Sequence, residues 1–594
     1  MDNQAFDEVG GKKASFSLNT KSGSPVKRYR ADVRKCCLYA CVVFFILVLA
    51  AIGIFLAIYF TRKDKAEVLT KNGLLKGKVS LSPQDTEVEE FLGIPFAKPP
   101  VGDLRYADPV PYGDFPKGGY DATDFKYACI QYLDTTFGSF EGSDMWNSKN
   151  KLSEDCLYLN IWVPRPYRTG RAVMVWIYGG GFYSGSNSLW VYDGKALASH
   201  TDVIVASFNY RVGSFGFLST GDRRIPGNFG LKDQRVALQW IKDNIEAFGG
   251  DPELITAFGE SSGAASVGYH MMSPESKDLF KRSIFESGSP DSHWSFMSTQ
   301  QAQQRSRAFF QNVNCPDDDA ILDCLRELDS MEILNNEWVD LNFLVFPWVP
   351  TVDGDFLTDT PHNLLKAGKF VLKDSLLGIN KDEGTFWILY AVDGLSKDGP
   401  SLLTHPMYRA GVDVVDWDLA NATREKVKDM YAPLNKSDMA SNRDALDDVC
   451  GDRSFVCPTA ELTDHFVKSG IKTYFYYLTH RASTEVWPPW MGVIHGAEIQ
   501  WIFGMAMNKS RGYSSEEVWF AKTVMEYWAN FAKYGDPNGP TLPYWPQYTQ
   551  KNPAYMEMKG PYDMMPSYDG PVKSYYCQLW NEINVRINNG DELR

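Results

Sequence analysis

Between Cys36 and Phe60 the chain carries no charged residue: CCLYACVVFFILVLAAIGIFLAIYF. At 1.5 Å per residue, a helix of that length spans a hydrocarbon core of about 30 Å. A cleaved signal peptide fits poorly, because residues 1–35 precede the run and an h-region is usually only about 7–15 residues long. The sequence therefore predicts a cytosolic tail over 1–35, a membrane anchor over 36–60, a stalk over 61–75 and one large domain over 76–594. The basic cluster Lys27, Arg28, Arg30, Arg34 and Lys35 is opposed by Arg62, Lys63 and Lys65 on the far side, so the positive-inside rule alone decides little. The sequons at Asn421, Asn435 and Asn508, and most of the cysteines, lie after the anchor. The expectation is a single-pass type II membrane protein whose large domain is extracellular or lumenal. Cys36, Cys37 and Cys41 sit at the cytosolic edge, where S-palmitoylation fits.

The charge balance narrows the partners. Sixty Lys/Arg face 74 Asp/Glu, a net charge of −14. Residues 1–35 carry +4, so the remainder stands at −18. With no basic block outside the N-terminus, nucleic-acid binding is excluded. The chain is 44% hydrophobic, enough for a large core. AVMVWIYG (172–179) and DVIVASFNY (202–210) are apolar runs without a polar face, as buried central strands require. Residues 231–248 have helical apolar spacing, and ELITAFGE (253–260), KDSLLGIN (373–380) and KTYFYYLT (472–479) read as further strands. Strands alternating with helices predict an α/β fold, a mainly parallel sheet covered on both faces.

Chemistry concentrates at the ends of these strands. Gly259-Glu260-Ser261-Ser262-Gly263 follows ELITAF and precedes the small-residue helix AASVGYHMM. That is the strand–turn–helix setting of a nucleophile elbow, with Ser261 at its tip and a helix N-terminus behind it. Gly179-Gly180-Gly181-Phe182 follows another strand, where backbone N–H groups can face a developing oxyanion. Elbow enzymes order their triads Ser, acid, His. Glu383, in Asn380-Lys381-Asp382-Glu383-Gly384, follows a buried strand. His405, His465, His480 and His495 come after it, and His495 alone sits in a glycine-flanked loop, Gly492-Val493-Ile494-His495-Gly496.

Taken together, GESSGAASVG, GGGFYSG, NKDEGTFW and WPPWMGVIHGAEI, spread from about Gly77 to Trp580, resemble a type-B carboxylesterase and within it a cholinesterase. The resemblance implies an α/β-hydrolase fold that hydrolyses carboxylic esters without a cofactor or metal. It implies Ser261 as nucleophile, His495 as general acid/base, Glu383 as orienting acid, and oxyanion donors from Gly180, Gly181 and Ser262. It also implies the disulfides Cys129–Cys156, Cys315–Cys324 and Cys457–Cys577, leaving Cys450 as a free thiol or an interchain link.

The segments CIQYLD (129–134) and GSDMWN (142–147) look like the gorge of a cholinesterase. By resemblance Trp146 would hold a quaternary ammonium through its ring face, and Glu260 would add negative charge. Tyr183 and Phe386 would line the gorge, with Tyr132, Asp134 and Trp338 at its rim. Leu344 and Phe346 with Trp294 would form the acyl pocket, where a leucine in place of one aromatic implies room for butyryl as well as acetyl esters. Ala497 and Trp387 depart from the family's usual Tyr and Phe. Two alternatives stand beside this reading. One is a general carboxylesterase without choline preference. The other is a cell-adhesion protein like neurotactin, itself type II, or the neuroligins, although those relatives lose triad residues that are all present here. A homodimer and an adhesion partner are left open.

Overall fold

The computed structural model describes residues 38–52, 65–339 and 342–588. Residues 38–52 form a helix whose apolar side chains, among them Phe44 and Leu47, are exposed. The rest of the apolar run, with Cys36 and Cys37, lies outside the described residues. Among the described residues no helix is long and apolar enough to cross a membrane.

Residues Lys65–Arg594 form one compact unit. Its sheet contains strands β1 (Lys65–Thr70), β2 (Gly73–Leu81), β3 (Glu87–Pro95), β4 (Tyr120–Asp121), β5 (Tyr158–Pro164), β6 (Arg171–Ile177) and β7 (Ile204–Phe208). It continues with β8 (Gly250–Glu260), β9 (Arg282–Glu286), β10 (Ser375–Asn380), β11 (Thr473–Leu478), β12 (Tyr555–Gly560) and β13 (Asp563–Ser567). The spatial order is β1-β2-β3-β5-β7-β6-β8-β9-β10-β11-β12-β13, with β4 beside β2. From β7 through β6, β8, β9, β10 and β11 to β12 the pairing is parallel. The flanks β1-β2-β3-β5-β7 and β12-β13 are antiparallel. The sheet is thus mixed, and its parallel centre matches the expectation while its edges do not.

Every residue of β6, β7, β9 and β10 is buried, so both faces of the centre are covered. Parallel strands force crossover connections, and helices on those crossovers supply the cover. Helix Ser262–Met272 packs on β8 and β9. Helix Ser515–Tyr534 packs on β6 and β8. Its N-terminus is fixed by a capping box between Ser514 and Glu517, and Gly535 ends it in the left-handed conformation.

The stalk expected over 61–75 does not extend that far. From Lys65 the chain is already β1, which turns at Lys71-Asn72 and pairs back on β2 from Thr70↔Gly73 to Lys65↔Lys78. The three expected disulfides are formed. Cys450 is a free thiol with no exposed surface, which removes the interchain link as an option.

Candidate active site

In open α/β sheets ligands bind beyond the carboxyl ends of the strands, and here four strand ends converge. The glycine loop follows β6, Ser261 follows β8, Glu383 follows β10, and His495 lies on the long loop after β11. Ser261 takes φ 57° and ψ −122° between β8 and helix Ser262–Met272, a strained turn for a residue with a side chain. The turn is tight enough that a Cβ on Gly259 would stand 2.5 Å from the Ile177 carbonyl, and one on Gly263 would overlap that same oxygen. The Ser261 N–H donates to the Glu286 carbonyl at 2.8 Å, tying the elbow to β9. Gly179 runs directly over it: a Cβ there would be 3.0 Å from Ser261 Cβ. The Phe182 N–H donates to Ser262 Oγ at 3.3 Å.

Glu383 is buried, and its carboxylate is saturated with donors. Oε1 accepts from Ser287 Oγ at 2.6 Å and from the Asn380 N–H at 2.6 Å. Oε2 lies 2.7 Å from His495 Nδ1. On the other edge of the imidazole, Nε2 is buried without a hydrogen bond and lies 3.0 Å from Glu260 Oε1. The ring of Phe455 backs the imidazole at 4.2 Å between centroids, with Trp387 at 5.6 Å. Phe455 stands on a π-helical turn, Asp452–Val456.

These groups open onto a cavity of about 700 Å³ lined by Ser261, His495, Glu260, Trp146, Gly180 and a set of aromatic rings. Gly496 lies between Trp146 and Glu260: a Cβ on it would be 3.5 Å from the indole and 3.6 Å from Glu260 Oε1. Tyr183, Phe386 and Trp387 form the walls. Tyr132 and Trp338 meet edge to face at 5.7 Å, both more than a third exposed, as rim residues should be. Asp134 accepts from the Tyr390 hydroxyl at 2.6 Å and from its own loop, so this rim carboxylate is held in place. Leu344 and Phe346 face the cavity as expected.

One expectation is corrected. Trp294 does not line the cavity. It is buried behind Phe346, ring centroids 6.0 Å apart, with its indole N–H bonded to the Ser454 carbonyl. Glu260, expected to add negative charge, is buried. Burial, and then the nearby Glu383, push its carboxyl well above the usual carboxylate range. Glu286 and Glu498 behind it are shifted the same way, Glu498 up to about 8 by burial and then by Glu260 and Glu383.

Sequence reasoning missed Ser287, Asn380, Asp382 and Phe455. Each acts through a contact between segments distant in sequence, and only Asn380 and Asp382 carry a local signal, being next to Glu383.

Residues 64–580 match the carboxylesterase family. The chain is 41% identical over 541 residues to acetylcholinesterase of Bungarus fasciatus, covering 89% of this chain and 88% of that protein. It is 43% identical over 522 residues to cholinesterase of Mus musculus, covering 86% of each. With an elbow serine, a carboxylate-bonded histidine and a glycine loop converging on one cavity, the chain belongs to the carboxylesterase family and is a carboxylic ester hydrolase.

Proposed function

We propose that the enzyme is a cholinesterase-like serine esterase. The observation that carries this is the single cavity into which Ser261, His495 and the Trp146 ring all face. Trp146 holds the quaternary ammonium of a choline ester by cation–π attraction. The ester carbonyl then lies over Ser261, its oxygen toward the N–H groups of Gly180, Gly181 and Ser262. His495 Nε2 takes the Ser261 proton as Oγ bonds to the carbonyl carbon. Glu383 fixes the imidazole with Nδ1–H and stabilises the imidazolium. The tetrahedral intermediate collapses, and His495 returns the proton to choline as the C–O bond breaks. Water, deprotonated by His495, then attacks the acyl carbonyl, and the acid leaves as the C–Oγ bond breaks and His495 returns the proton to Ser261 Oγ. Nε2 lies 3.0 Å from Glu260 Oε1 in this structure. Catalytic hydrogen bonds of this kind commonly tighten only once substrate is in place.

Ser261→Ala tests the chemistry: it should remove nearly all turnover and all covalent organophosphate labelling while the protein stays folded. Turnover near wild type would overturn the assignment. Acetylthiocholine against its uncharged carbon isostere tests the substrate class. Equal kcat/KM for the two would favour a general carboxylesterase.

We further infer that the hydrolase domain is tethered through residues 36–60 and faces the extracellular or lumenal side. Supporting this are the exposed apolar helix over 38–52 and the exposed sequon residues Asn421, Asn435 and Asn508. Resistance to alkaline carbonate extraction and a mobility shift with glycosidase are the expected results. Release into the supernatant, or sequons left unglycosylated, would refute it.

A further inference from the structure

The histidine loop is built on the acid loop. Residues 380–385 send four hydrogen bonds across to residues 491–494, the segment leading into His495. Asn380 Nδ2 donates to the Ile494 carbonyl at 3.0 Å, and Thr385 Oγ1 donates to the Met491 carbonyl at 2.8 Å. The Asp382 N–H donates to the Val493 carbonyl at 3.0 Å, and Asp382 Oδ2 accepts the Val493 N–H at 2.8 Å. Asp382 and Val493 thus clamp each other in both directions, and their neighbours on each chain are Glu383 and, two residues on, His495.

The carboxylate of Asp382 dictates the residue opposite. Gly492 takes φ 63° and ψ −131°. A Cβ there would overlap Asp382 Oδ2 and Cγ and lie 3.1 Å from Asp382 Cβ. The carboxylate occupies the space a side chain at 492 would fill, and only a glycine lets it reach the Val493 N–H. The side chain is 18% exposed, so the bond is largely shielded from water. On its other side the loop packs on helix Met439–Gly451, where a Cβ on Gly384 would meet Asp447 Oδ1 at 2.9 Å. The loops that carry Glu383 and His495 are therefore tied together by these bonds as well as by the pair's own 2.7 Å contact.

Resting on the reading of His495 as general acid/base, we propose that Asp382 is a positioning residue that sets the His495 imidazole through the Val493 N–H. Asp382 touches neither substrate nor the reacting atoms. A displacement of the imidazole by an ångström is enough to lower turnover by about 10².

The test uses the full-length enzyme with Asp382→Ala, Asp382→Asn and His495→Ala, measuring kcat per organophosphate-titrated site, KM and melting temperature. Asp382→Ala should lower kcat by roughly 10- to 100-fold with KM within about twofold of wild type. Asp382→Asn keeps an oxygen that can accept the Val493 N–H, and should recover kcat to within a few-fold. A purely structural role would lower the melting temperature and the titratable fraction of both variants while leaving kcat per site intact. Unchanged kcat per site in the Ala variant overturns the proposal. So does an Asn variant as slow as the Ala variant. If Asp382→Ala cannot be folded, the Asn variant decides, since near-wild-type kcat is required of it. Undiminished turnover in His495→Ala would instead sink the underlying reading, a result independent of either Asp382 variant.

Discussion

Replacing Glu383 with Gln changes one atom and should stop the enzyme, and the structure says why the amide cannot adapt. Glu383 Oε1 accepts from the Asn380 backbone N–H, a donor that cannot turn around. It also accepts from the Ser287 hydroxyl, which could. In the Gln variant the atom facing Asn380 must therefore remain the carbonyl oxygen. The NH2 group is then forced toward His495 Nδ1, where Oε2 now lies at 2.7 Å. Two N–H donors cannot face each other, so Nδ1 must give up its hydrogen and the neutral ring carries it on Nε2. That tautomer cannot accept the Ser261 proton. The expected loss is about 10⁴-fold in kcat, the size found when a triad acid becomes its amide, or about 5 kcal/mol of barrier. KM should scarcely move, because Glu383 is buried away from the cavity. Initial rates of acetylthiocholine hydrolysis across substrate concentration, with melting temperature as the folding control, measure this. A folded Gln variant with kcat within tenfold of wild type would show that Glu383 does not set the tautomer.

Trp146→Ala should lower kcat/KM for a choline ester by roughly 2- to 30-fold, the range of a cation–π contact, more than for the neutral isostere. Equal losses on both esters would mean that the ring only packs. Leu344→Phe should depress butyrylthiocholine turnover about tenfold or more relative to acetylthiocholine, since one methylene in an apolar pocket is worth about 1–3 kcal/mol. An unchanged butyryl-to-acetyl ratio would remove Leu344 from the acyl pocket. Glu498→Gln reports on pH. The folded chain holds a proton on Glu498 up to about pH 8, whereas an unfolded glutamate releases it near its ordinary value of 4.5. Stability from this group therefore falls as pH rises through that window, and the Gln variant should show a flatter melting temperature between pH 4.5 and 8. A slope identical to wild type would count against a proton on Glu498.

How much of this was legible depends on whether the signal is local. The elbow was, because a strand, two glycines and a small-residue helix are adjacent in sequence and each is demanded by the same turn. His495 was legible from its glycines, one of which now has a specific cause in the Asp382 carboxylate. The first strand was missed although a signal existed. The two-residue turn Lys71-Asn72 runs straight into Gly73, but KAEVLT buries only Ala66 and Thr70, so its edge-strand pattern was weak beside the apolar run upstream. Ser287 carried no signal at all. Its hydroxyl matters only because β9 lies beside β10 and delivers it to Glu383 across 96 residues of sequence.

The charge on Glu260 is a different matter. A sequence gives the residue type and the net charge of −14, but a carboxyl's charge depends on its surroundings. Glu260, Glu286 and Glu498 are each buried and each pushed upward first by burial; Glu383 then adds to the push on Glu260, Glu498 and Glu260 to that on Glu286, and Glu260 and Glu383 to that on Glu498. An acidic field able to gather the proposed cationic substrate would come from the many exposed carboxylates, with Asp134 the acid placed at the rim. Glu260 enters later. A quaternary ammonium against Trp146, as proposed, would sit next to the carboxyl from which a Gly496 Cβ would be 3.6 Å. A neighbouring positive charge favours the ionised form of a carboxyl, so the proposed ammonium would oppose the upward push on Glu260.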